Sequence, residues 1–92
     1  MNPRVVDVTT TESFTLHLVF SNGEHRVFDC VPYLERGIFT QLRDRGVFSS
    51  ARVVAGSVEW DGDVDLSYDT LYRESTPESE LHDESLHTGF IV

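Results

Sequence analysis

FTLHLVFSNGEHRVFD, residues 14–29, carries the clearest structural signal in the chain. Phe14, Leu16, Leu18 and Phe20 alternate with Thr15, His17 and Val19, so a strand made of them has one apolar face and one wetter face. HRVFD, at 25–29, continues the β-branched and aromatic character. Between the two runs stands Asn22-Gly23, whose residues tolerate the positive φ of a type I′ turn. A hairpin is expected over 14–29, with His17 facing Phe28 and His25 facing Phe20. The two histidines are therefore not directly opposite one another.

Working outward, VVDVTTT at 5–11 reads as a preceding strand, joined through a looser turn at Thr10–Ser13. On the other side Pro32 ends the third strand, because it cannot donate to a ladder. Ile38, Phe39 and Leu42 fall at spacings of three and four, which predicts a short amphipathic helix over about residues 37–44. Gly46 suits its C-terminal stop. RVVAG and SVEW, at 52–60, read as a second hairpin across the Ala55-Gly56-Ser57 break.

The stretch VEWDGDVDLSYDTLY, residues 58–72, holds Glu59, Asp61, Asp63, Asp65 and Asp69 among Val, Trp, Leu and Tyr. Asp61-Gly62 is a turn pair. Ser67 reads as a helix N-cap, its hydroxyl accepting a first-turn N–H. Asp69 then sits where a negative charge meets the positive end of the helix dipole. Leu71 and Tyr72 pack inward.

Ninety-two residues make one domain, here assigned to 1–74, with 39% hydrophobic residues to build its core. Residues 75–92 are acidic and poor in periodic apolar positions, and read as a flexible tail. No apolar run approaches the roughly 18 residues needed to span a bilayer, and the opening residues, without a basic segment followed by a long apolar one, are not expected to be a secretion signal. The single cysteine, Cys30, rules out an internal disulfide and reads as a small buried hydrophobe. A cytoplasmic location is expected.

Charge is unevenly distributed. Residues 1–52 hold six Arg and six acids, whereas residues 53–92 hold one Arg and ten acids. The formal net charge of −9 belongs to the second part, which would repel nucleic-acid phosphates and attract a basic protein.

A wider pattern runs from Pro3-x-Val5 through Asn22-Gly23-Glu24, Phe28-Asp29, Leu34, Gly37-x-Phe39-x-x-Leu42 and Phe48. It ends with Gly56, Trp60-x-Gly62, Asp65-Leu66-Ser67 and Leu71-Tyr72. Over residues 3–74 it resembles the small bacterial family called domain of unknown function 2442. Relatives commonly have Pro where this chain has Tyr68. The resemblance implies an α+β domain with a small antiparallel sheet, about five short strands in two hairpins, packed with one or two short helices. Some relatives carry a helix-turn-helix domain, for which the tail here is too short and too polar. Others are encoded beside a small toxin-like protein, which implies a toxin–antitoxin partnership. The resemblance supplies no catalytic residue.

Calcium coordination by Asp61, Asp63, Asp65 and Asp69 fits the first half of an EF-hand loop. Leu66 and Tyr72 stand where its glycine and bidentate glutamate belong, so a turn and a cap are the better reading. His17, His25, His82 and His87 form no zinc-spaced set. Ser67 lacks a nucleophile elbow, and Gly37 stands alone before a helix rather than in a phosphate-binding loop. A non-catalytic protein-interaction domain without cofactors is expected, with Asp61, Asp63, Asp65, Glu78 and Glu80 meeting a basic small protein. The alternative is a small-ligand sensor with a pocket lined by Phe39, Trp60 and Tyr72. Homodimerisation through an open strand edge is a further expectation.

Overall fold

A computed structural model describes residues 1–80. Among the described residues seven strands form two antiparallel sheets, giving the expected α+β class with more strands than the hairpins alone imply. The large sheet contains β1 (Val5–Thr10), β2 (Thr15–Phe20), β3 (His25–Asp29) and β7 (Thr76–Pro77), in the order β1-β2-β3-β7. The small sheet contains β4 (Arg52–Val54), β5 (Ser57–Trp60) and β6 (Val64–Leu66), in chain order. The described residues also include the helices α1 (Arg45–Phe48) and α2 (Tyr68–Glu74), 3₁₀ turns at Val31–Tyr33 and Gly37–Arg43, and helical backbone again over residues 78–80.

The alternation in β2 is realised. Leu16, Leu18 and Phe20 are buried and His17 is exposed. The pairing differs by one residue from the expected register: His17 faces Val27, Leu16 faces Phe28, and His25 faces Val19. The cause lies in the turn. Phe20 N–H donates to Glu24 O (2.9 Å) and Gly23 N–H donates to Phe20 O (2.8 Å), closing a three-residue loop. Gly23 alone is left-handed (φ 89°), so this is a bulged loop rather than a type I′ turn. The two-residue turn with two positive φ values occurs instead at Ala55 (52°) and Gly56 (82°), between β4 and β5.

Between the sheets, Val5, Phe20, Phe28, Leu42, Phe48, Val58, Trp60, Val64 and Leu71 form one core. Trp60 is fully buried and donates its indole N–H to Phe48 O at 3.0 Å, so its polar atom is satisfied. The helix expected over 37–44 is a 3₁₀ turn that stops at Arg43, and Gly46 lies inside α1 instead of terminating the first helix. Asp44 intervenes, its carboxylate accepting from Val47 N–H as the N-cap of α1.

The folded unit continues past residue 74. Arg26 donates to both the hydroxyl and the carbonyl of Ser75 (2.6 and 2.8 Å), bringing Thr76–Pro77 alongside Val27 and Arg26. This places the first residues of the expected tail in the large sheet. Residues 81–92, with His82, Asp83, Glu84 and His87, lie outside the described residues.

Candidate functional site: an acidic sheet face

The antiparallel hairpin β5–β6 sets Glu59 directly opposite Asp65. Side chains directly opposite share a face, and Val58, Trp60, Val64 and Leu66 take the inner one. Glu59 and Asp65 therefore occupy the outer face, next to Arg52, which faces Glu59 from β4. Arg52 is shared. Its guanidinium meets Glu59 at 3.2 Å and Asp61 at 2.9 Å, and both carboxylates hold it in its charged form, Asp61 most strongly. The Asp65 side chain takes part in no hydrogen bond or ion pair among the described residues.

The turn carrying Asp61 and Asp63 is held in place. Asp61 N–H donates to Ser50 Oγ at 3.0 Å. Gly62 has φ 90° and packs so closely on Gln41 that an added Cβ would lie 2.4 Å from its Oε1. Asp63 also adopts a left-handed φ of 62°, a conformation aspartate tolerates better than most residues. The aspartates thus shape the turn, as their sequence context implied, and their carboxylates face solvent. The strand β6 went unread, and with it the face-to-face placing of Glu59 and Asp65. Only the register could reveal that pair.

The other acids expected at a partner surface lie elsewhere. Glu78 and Glu80 follow β7 beside the large sheet, and Glu78 meets His17 Nδ1 at 3.4 Å. Glu78 lines an open groove with His17, Glu24, His25, Val27 and Pro77, of about 880 Å³. The five residues therefore form two groups on different sheets.

Phe39, Trp60 and Tyr72 do not converge on a pocket. Trp60 stacks with Phe48, Phe39 packs edge-on to Tyr33, and Tyr72 packs edge-on to Phe20. Each belongs to a different aromatic contact, because inner-facing aromatics of a two-sheet domain fill its core. The Tyr72 hydroxyl donates to Glu24, which also receives Arg26 at 2.8 Å. Those contacts, Tyr72 foremost, hold the Glu24 carboxyl below its ordinary range.

The nucleophile candidates are occupied or inert. Ser67 caps α2, accepting from Thr70 N–H at 3.3 Å. Cys30 is buried, and desolvation, with a smaller contribution from Asp29, pushes its thiol up to about 12. Among the described residues no three His, Cys, Asp or Glu side chains gather as a metal-ligand set, and no helix is long and apolar enough to cross a membrane.

Residues 5–77 match the family described as protein of unknown function (DUF2442). No curated protein and no solved structure matches the chain. The family match spans most of the chain and both sheets from β1 to β7, and the protein belongs to the DUF2442 family.

Proposed function

We propose that this domain is a non-catalytic protein-interaction module, antitoxin-like in role, whose small-sheet outer face docks a basic protein. The observation that carries this reading is the direct opposition of Glu59 and Asp65 across β5 and β6. Like charges in that position destabilise a sheet. One arginine, already divided between Glu59 and Asp61, supplies the only cation paired with them among the described residues. A cationic side chain from a partner would relieve that repulsion and be steered to it at low salt. The excess of acids after residue 52 and the toxin–antitoxin setting implied by the resemblance support the same partner chemistry.

The test compares the two acidic groups. Retention of a co-purifying basic protein at low salt should be lost in a variant with Asp61→Asn, Asp63→Asn and Asp65→Asn, and kept with Glu78→Gln and Glu80→Gln. Retention unaffected by the first set would overturn the reading.

A further inference from the structure

In the small sheet β6 is an edge strand, paired with β5 on one side only. Ala55-Gly56 is a two-residue hairpin turn, so its closing pair, Val54 and Ser57, is hydrogen-bonded, and so is Arg52 with Glu59 two positions on. Glu59 thus turns its N–H and C=O toward β4. Strand alternation then directs Val58 and Trp60 toward β6, making Val58–Leu66 and Trp60–Val64 the hydrogen-bonded pairs on that side. Glu59 and Asp65 form the pair between them. The backbone N–H and C=O of Asp65 consequently point away from β5, at the open edge of the sheet. No turn, loop or cap among the described residues supplies a backbone bond to them.

We propose that β6 accepts an added strand, an extended segment of the basic partner with a cationic residue between two apolar ones. The inference rests on the interaction reading above and specifies how the partner is held. Its basis is the outward-facing backbone of Asp65 beside an outer face short of cations. A residue hydrogen-bonded to Asp65 has its side chain on the same outer face, continuing the row Arg52, Glu59, Asp65 with a second cation. Each carboxylate of the row then has a cation on one side. The flanking residues of the added segment point to the inner side, at the margin of the core to which the buried Val64 and Leu66 belong. Backbone bonds supply sequence-independent attachment, and the side-chain alternation supplies selection.

The probe is a capped pentapeptide, Thr-Val-Arg-Val-Thr, titrated into the ¹⁵N-labelled full chain. Saturable shifts centred on Val64–Leu66 are expected, with slowed exchange of the Asp65 amide. Methylating the backbone nitrogen of the probe's arginine keeps its charge and removes one backbone bond, and should weaken binding about tenfold or more. Asp65→Pro should weaken binding further than Asp65→Asn, since an edge strand tolerates proline where its N–H faces outward. Equal binding of the methylated and unmethylated probes, with unchanged Asp65 exchange, overturns strand addition while leaving the acidic-face reading intact. Binding of neither probe also overturns it, and the low-salt retention experiment then decides the acidic-face reading independently.

Discussion

In the large sheet, Arg26 is consumed by the fold: it reaches Ser75 twice and Glu24 once, and lies over the Tyr72 ring at 4.5 Å from its centroid. In the small sheet, Arg52 is about half exposed and spread over two carboxylates, while Asp65 faces Glu59 with no cation of its own among the described residues. The first arginine ties β3 to α2 and β7. The second leaves an acidic surplus on the surface. Charge in one region is spent on architecture, and in the other exceeds what the architecture uses.

The comparison breaks first at Arg26. Arg26→Ala should cost about 2–3 kcal/mol in urea unfolding, because charged hydrogen bonds at a mostly buried side chain are lost and Ser75 keeps only its bond to Tyr72 O. A loss below about 0.5 kcal/mol, the level of an ordinary surface substitution, would mean that the large sheet's charges are as dispensable as those proposed for the small one.

A smaller effect is expected at high pH, again confined to the large-sheet side. Burial raises Cys30 from 9.0 to about 12, and burial with the hydrogen bond to Glu74 raises Tyr33 from 10.0 to about 12. Both groups hold their protons more tightly when folded. Their stabilising contribution is complete below pH 9 and is lost as pH climbs toward 12. Urea midpoints measured from pH 8 to 11 should fall, and less steeply in a Tyr33→Phe variant. A flat profile would show that neither group keeps its environment.

The parts of the fold legible in the sequence were those fixed by local chemistry. Ser67 caps α2 because a hydroxyl there can accept a first-turn N–H whatever lies around it. The alternation of β2 was visible because six residues sample the period several times. The strands β6 and β7, three and two residues long, carry too little periodicity to be distinguished from turn and tail. Register was less legible still. Asn22-Gly23 announces a turn, but the extra loop residue that shifts every cross-strand pair depends on the backbone of the whole hairpin. The candidate site inherits that limit. Asp61, Asp63 and Asp65 could be singled out as acids at a turn, whereas Glu59 entered the site only when pairing set it against Asp65. The aromatic pocket failed for a related reason: Phe39, Trp60 and Tyr72 share chemistry without sharing a contact.

The most direct measurement of the central claim, that the outer-face acids of the small sheet are surplus to the fold, is the unfolding free energy of Asp65→Asn and Asp65→Lys at low salt. Removing the charge opposite Glu59 should leave stability unchanged or raise it by up to about 1 kcal/mol, with lysine above asparagine. A loss of more than about 1 kcal/mol in both variants would show that Asp65 serves the structure itself, and the account of this face as a docking surface would be contradicted.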